Sequence, residues 1–210
     1  MPILDVEAAD RAGLRPIDLA KAFFDGGATL VQLRAKTAAS AALLDLARAI
    51  VDLAHARRAT VIVNDRADIA RLAGADGVHV GQDDLAPADV RRVVGGDAIV
   101  GLSTHTPDQM DEALREPIDY VAIGPVFGTT SKATGYDAIG LDAVRSAAAV
   151  ARTAERPLVA IGGITLERAP AVIEAGATCV AVINDLIITG DPQGRTREFL
   201  RRLGAADANS

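Results

Sequence analysis

Three cations and two carboxylates stand out in this sequence by type and spacing. Gln32, Arg34 and Lys36 alternate along Q-L-R-A-K, so an extended chain presents all three on one side. Asn64 and Asp65 follow the apolar run T-V-I-V, and Asp83 and Asp84 close G-V-H-V-G-Q-D-D. Lys132 lies in F-G-T-T-S-K-A-T-G, Phe127 to Gly135, directly after the apolar run D-Y-V-A-I-G-P-V. Its hydroxyls and glycines suit either a surface loop or a lid over phosphate oxygens, with Gly128 and Gly135 as hinges. If one surface gathers Arg34, Lys36 and Lys132 opposite Asp65 and Asp84, the simplest ligand is a polyphosphate carrying a divalent ion. Magnesium suits such a place, since it is typically held by one or two carboxylates together with substrate phosphates.

A second anion site is implied by Gly162 and Gly163 in I-G-G-I-T and by Ile183 and Asn184 in V-I-N-D. Such turns present backbone N–H groups to a phosphate. Together the two sites fit a diphosphate with metal on one side and a monophosphate on the other, joined with loss of pyrophosphate. Each residue also has a structural reading. Arg34 and Lys36 suit surface ion pairs, Asp65 and Asp84 suit helix N-caps, and the glycines suit a simple bend. No His/Cys spacing fits zinc. His55 reads as a helix surface residue, His79 as a packed strand residue, and His105 beside the mouth fits either role.

Positioning these groups requires a repeating scaffold, and one phrase recurs. G-G-A-T-L-V-Q-L (26–33), A-G-A-D-G-V-H-V (73–80) and A-G-A-T-C-V-A-V (175–182) each follow an Ala-rich amphipathic segment. Glycine closes a helix and a β-branched run begins two or three residues later. Strands are predicted near 2–5, 29–34, 60–64, 77–80, 98–102, 119–123, 157–161 and 178–183. Helices are predicted near 16–25, 39–57, 66–73, 86–94, 107–115, 139–152, 166–175 and 194–203. Eight such alternations predict a single-domain (β/α)8 TIM barrel over residues 1–203, with a frayed tail at 204–210. A doubly wound open sheet is the alternative, but no glycine-rich dinucleotide fingerprint follows the first strand.

Composition agrees. The 210 residues are 50% hydrophobic but only 3% aromatic, so Ala, Val, Leu and Ile must build the core. That mixture suits parallel strands buried on both faces. A net charge of −6 argues against nucleic acid or an anionic membrane as the main partner. Cys179 lies in the apolar run T-C-V-A-V-I and reads as a buried thiol. The opening residues M-P-I-L-D-V-E-A-A-D have neither a basic n-region nor a long apolar stretch, and no apolar run approaches the roughly 18 residues a membrane helix needs. A soluble, cytoplasmic protein acting on small molecules is expected.

Six motifs stand in one order: Q-L-R-A-K, V-N-D-R-A-D-I-A, G-A-D-G-V-H-V-G-Q-D-D-L, G-L-S-T-H-T, Y-V-A-I-G-P-V-F-G-T-T-S-K and V-A-I-G-G-I-T. Together they resemble the thiamine phosphate synthase (thiamine-phosphate pyrophosphorylase) family from about residue 19 to residue 188. The resemblance implies a transferase that couples hydroxymethylpyrimidine diphosphate to a thiazole phosphate, through a pyrimidinylmethyl cation, with release of pyrophosphate. It further implies that Gln32, Leu33, Arg34, Ala35, Lys36, Asn64, Ser103 and Lys132 surround the pyrimidine diphosphate. Asp65 and Asp84 would hold Mg2+, and Thr129, Thr130, Ser131, Gly163, Ile183 and Asn184 would face the thiazole phosphate.

Three positions depart from that family's pattern. Ala35 stands where Glu is usual, Gly128 where Pro is usual, and Asn184 where Ser is usual. A longer first strand is also expected of the family. The related thiazole tautomerase is the nearest rival, but it uses His where Pro125 stands and does not need both carboxylates. A non-catalytic sensor of thiamine precursors would gain little from a metal site at a leaving group.

Overall fold

The computed structural model describes residues 1–128 and 136–204. Its strands are β1 (Ile3–Asp5), β2 (Leu30–Arg34), β3 (Thr60–Asn64), β4 (Gly77–Val80), β5 (Ile99–Thr104), β6 (Tyr120–Ile123), β7 (Leu158–Ile161) and β8 (Cys179–Ala181). Each pairs in parallel with the next. Pro2 bridges Val182 and closes the ring, with Ile3 N donating to Val182 O at 2.9 Å and Val182 N to Met1 O at 3.2 Å. This is the (β/α)8 barrel that the alternation predicts.

Eight helices follow the predicted pattern: α2 (Pro16–Asp25), α3 (Ser40–His55), α4 (Ala67–Ala73), α5 (Pro87–Val94), α6 (Pro107–Ala113), α7 (Gly140–Thr153), α8 (Ala169–Glu174) and α9 (Pro192–Arg202). Proline opens α2, α5, α6 and α9, where its fixed φ suits the first turn and its missing N–H costs nothing. An additional short helix, α1 (Val6–Arg11), follows β1 directly. Asp5 caps it, its Oδ1 accepting from Ala8 N at 2.8 Å. A 3-10 turn at Asn184–Leu186 follows β8.

Strand residues alternate between two cores. Leu4, Val31, Leu33, Val61, Val63, Val78, Val80 and Val100 face outward and pack with Phe23, Ile50 and their neighbours on the helices. Truncating a fully buried side chain of this layer costs about 2–5 kcal/mol, so this layer holds the fold. The inward positions divide by chemistry. Tyr120, Ala122, Val159, Ala181 and Ile183 form a smaller inner cluster with Ile3. Asp5, Gln32, Arg34, Asn64 and His79 are also buried on inward positions, yet polar. Toward the C-terminal strand ends the barrel interior is therefore polar along β1–β4 and mainly apolar along β6–β8, while Ile3 and Ile62 keep it apolar deeper down.

The opposite end of the barrel is stapled by side chains. Val61 N donates to Asp76 Oδ2 at 2.7 Å, Val100 N to Asp119 Oδ2 at 2.7 Å, and Leu158 N to Thr178 Oγ1 at 3.2 Å. His55 on α3 lies 3.1 Å from Asp76, and Arg91 on α5 donates to Asp119 at 2.5 Å. These contacts hold strand starts together and leave the C-terminal strand ends to carry the site.

Candidate active site

At the polar side of the mouth, neighbouring strand ends exchange charge. Arg34 at the end of β2 is paired through Nη1 with Asp5 Oδ2 at the end of β1, both buried. Removing either partner would leave an uncompensated buried charge, typically a loss of about 3–5 kcal/mol. The pair does not use the whole guanidinium, since Arg34 Nε is buried without a hydrogen-bond partner among the described residues. Two residues on, Lys36 Nζ contacts Asp65 Oδ2.

Asp65 occupies the left-handed region, at φ 63, which Asp and Asn tolerate better than most residues. Its amide donates to His79 O at 2.7 Å, and its carbonyl accepts from Ala67 N at 3.2 Å. The backbone kink directs its carboxylate toward Asp84. Burial pushes the Asp65 carboxyl above its ordinary pKa, Asp84 adds to the rise, and Lys36 offsets only part of it. Asp84 Oδ2 accepts from Gly81 N at 2.8 Å, which fixes its own turn. Neither residue is a helix cap: Arg66 precedes α4 and Ala86 precedes α5. Two carboxylates thus sit together at the cost of repulsion, with one cation beside them. That donor set fits a magnesium ion, which would relieve the repulsion through oxygen ligands. Among the described residues no group of three or more His, Cys, Asp or Glu side chains gathers in metal-holding geometry.

Beneath this charged rim runs a buried polar chain. His79 bridges two hydroxyls, with Nδ1 2.8 Å from Tyr120 Oη and Nε2 2.8 Å from Ser103 Oγ. Gln32 also hydrogen-bonds to the Tyr120 phenol, whose pKa is raised by burial. Gly101 makes room for this arrangement: a Cβ there would lie 2.0 Å from the Tyr120 ring. Gln82 Nε2 donates to Ser103 O at 2.7 Å and holds the end of β5.

Toward β6–β8 the mouth opens into a cavity of about 570 Å³, lined among others by Ser103, Pro125, Gly163, Ile183, Asn184 and Arg168. Gly163 has φ 60, and a Cβ there would approach Gly128 O to 2.5 Å. A side chain at this turn would therefore be strained twice, by backbone and by contact. His105 Nδ1 lies 2.6 Å from Gly124 O, and its ring stacks on Tyr136 with centroids 4.0 Å apart. Asp185 ties the last two strand-end turns together, accepting from Leu166 N at 3.0 Å and from Arg195 Nη2 at 2.7 Å.

The sequence profile of the family described as thiamine monophosphate synthase matches residues 4–186, every strand from β2 to β8 included. The chain belongs to that family. A thiamine-phosphate synthase from Koribacter versatilis is 48% identical over 184 residues, covering 88% of this chain and 84% of the relative. One from Anaeromyxobacter dehalogenans is 46% identical over 181 residues, covering 86% and 80%. Among solved structures, a thiamine phosphate pyrophosphorylase from Pyrococcus furiosus superposes with a TM-score of 0.86 at 26% identity, over 97% of this chain and 95% of the other.

Most residues that the family resemblance singles out converge in two groups. Gln32, Arg34, Asn64 and Ser103 lie within the barrel or at its rim with Lys36, Asp65 and Asp84. Gly163, Ile183 and Asn184 line the cavity. Leu33 turns outward into the helix-facing core and Ala35 packs against that core, so only their backbones remain for a ligand. Thr129, Thr130, Ser131 and Lys132 lie outside the described residues.

The acid absent at position 35 has a neighbour in space. Glu7 on α1 accepts through Oε1 from Lys36 N, Thr37 N and Thr37 Oγ1 at 2.7, 2.8 and 3.0 Å. Burial alone would raise the Glu7 pKa, but these donors outweigh it and hold the carboxyl below the usual range. Sequence reasoning missed Asp5, Glu7 and Tyr120, and it read His79 as packing alone. The one available signal was Gly101, a glycine inside an apolar strand, where a close approach is the usual reason.

Proposed function

We propose that this mouth joins an aminopyrimidinylmethyl diphosphate to a thiazole phosphate, giving thiamine phosphate and pyrophosphate. Family membership and the 41–48% identity to thiamine-phosphate synthases support the activity. The observation that carries the site assignment is the meeting of the half-buried Asp65 with the exposed Asp84 and with Lys36, on the same mouth as an apolar cavity lined by Gly163 and Asn184.

The polar half suits the pyrimidine diphosphate. Gln32, Asn64 and Ser103 offer hydrogen bonds to a heteroaromatic ring, while Lys36 and the unused edge of Arg34 meet phosphate oxygens. The apolar half suits the thiazole ring, with its phosphate directed to the Gly163 and Ile183–Asn184 backbone. The bond between the pyrimidinyl methylene carbon and the diphosphate oxygen breaks, and the departing oxygens take the electron pair. The thiazole nitrogen then gives its own lone pair to the methylene carbon, so no protein base has to remove a proton. Arg34 and Lys36 stabilise the negative charge as it develops on the leaving group. Asp65 and Asp84 would hold Mg2+, which when bound supplies further charge neutralisation at the diphosphate. Thr129, Thr130, Ser131 and Lys132 are proposed to complete the phosphate contacts.

No described helix is long and apolar enough to cross a membrane, and both substrates are water-soluble. We place the reaction in the cytoplasm and read residues 1–203 as one domain. The test is turnover: purified protein, both substrates and Mg2+, with thiamine phosphate and pyrophosphate measured together. Stoichiometric appearance of both products is expected. Binding without turnover, or rearrangement of the thiazole alone, would overturn the proposal.

A further inference from the structure

We infer that Arg168 is a specificity-determining residue for the phosphate of the thiazole substrate. It lies immediately before α8 and lines the cavity that also holds Gly163 and Asn184. Among the described lining residues it is the only Lys or Arg. The guanidinium is held at the rim by two uncharged partners. Nη1 donates to Gly163 O at 2.9 Å, and the guanidinium carbon stands 4.7 Å from the centroid of the Phe127 ring. Neither contact neutralises it.

The neighbouring Arg195 is different. Its guanidinium is enclosed by Asp185, Glu198 and Glu167, at 2.7, 3.1 and 3.7 Å. Its charge is consumed by the protein, and that of Arg168 is not. A guanidinium carries five donors. One is spent on Gly163 O, and no carboxylate among the described residues is paired with the others. The Asp185 carboxylate, the nearest acid in sequence among the lining residues, is already occupied by Leu166 N and Arg195.

A phosphate dianion seated against the Gly163 turn would therefore meet a charged, positioned donor whose present partner is only a carbonyl. Charge-assisted contacts of this kind are stronger than neutral ones. The inference rests on the proposed synthase reading for the identity of the phosphate-bearing ligand.

The experiment compares wild type, Arg168→Gln and Arg168→Lys with two acceptors: the thiazole phosphate, and the same thiazole alcohol without its phosphate. Arg168→Gln should raise the KM for the thiazole phosphate roughly tenfold while leaving the KM for the pyrimidine diphosphate unchanged. Arg168→Lys should recover part of the loss. With the thiazole alcohol the three proteins should behave alike. Calorimetric titration of each acceptor into each protein gives the same comparison without turnover.

If wild type binds the thiazole phosphate in an Arg168-dependent way but makes no product, the synthase reading fails and this inference stands. If product forms and Arg168→Gln leaves the thiazole phosphate KM unchanged, the inference fails alone. A loss equal for both acceptors, or equal for both substrates, would make Arg168 a purely structural clamp on Phe127 and overturn it.

Discussion

Lys36 reaches from the end of β2 to the Asp65 carboxylate on the next strand, and Asp84 approaches that same carboxylate from beyond β4. Asp65 thus stands between one cation and a second acid. The arrangement is electrostatically incomplete, and a divalent ion would complete it.

Asp65→Asn should cut turnover by about two to three orders of magnitude, the usual scale for losing one preorganised charge contact in a transition state. The fold should survive, because Asn tolerates φ 63 and Lys36 is half exposed and loses little. Steady-state rates and a melting curve check this together. Wild-type turnover, or a collapse in Tm, would remove Asp65 from the metal role.

The pH dependence of stability has a definite sign. The Asp65 pKa is raised in the folded protein, so folding favours its protonated form. Its stabilising contribution is complete below the unfolded value of 3.8 and is lost as pH rises through the folded value. In metal-free buffer the Tm of wild type minus that of Asp65→Asn should therefore fall from pH 4 toward neutrality. Adding Mg2+ at pH 7 should raise the wild-type Tm and leave the variant unchanged. A difference that grows with pH without metal would contradict the assignment.

Asn184→Ser should change the KM for the thiazole phosphate by no more than about tenfold, equal to roughly 1.4 kcal/mol. The Asn amide and the Ser hydroxyl both donate to a phosphate oxygen. A larger effect confined to the pyrimidine diphosphate would place Asn184 on the other half of the mouth.

Gly101→Ala should damage the site from below. Its Cβ would strike the Tyr120 ring, and relief requires moving the phenol away from His79. Overpacking of this kind costs about 1–3 kcal/mol, or roughly 2–4 °C of Tm for each kcal/mol at this chain length. kcat should fall as well, since Ser103 loses the fixed position of its His79 partner. An unchanged kcat with a lowered Tm would show that the buried chain serves packing alone.

Much of this molecule was legible from its residues. Helix-stop glycines followed by β-branched runs located β2, β4 and β8, and extending the alternation gave the other five strands. The alternation within Q-L-R-A-K put Gln32 and Arg34 on one side of β2, and both are buried there. What escaped was set by tertiary contact. α1 carries the sequence V-E-A-A-D-R, too short for a periodic apolar stripe, and it is capped by an aspartate that also pairs with Arg34. The His79–Tyr120 bond joins residues 41 apart in sequence, and no local pattern announces it. β5 also runs on to Thr104, past the predicted 102, because Ser103 and Thr104 continue the ladder opposite Ala122 and Ile123 of β6.

The staples at the closed end of the barrel divide the chain in a particular way. Asp76 secures β3 from the start of β4, Asp119 secures β5 from the start of β6, and Thr178 secures β7 from the start of β8. All three join an odd strand to the even strand that follows it. The ring is therefore punctuated in pairs, and its seams fall after the even strands. Splitting the chain between β4 and β5 would leave every staple inside one fragment, whereas splitting it between β3 and β4 would sever the one at Asp76. Two halves divided at the first seam would each carry their own strand-start fastenings into reassembly. Asp65 and Asp84 would then stay on one piece, and Ser103, Gly163 and Asn184 would arrive on the other.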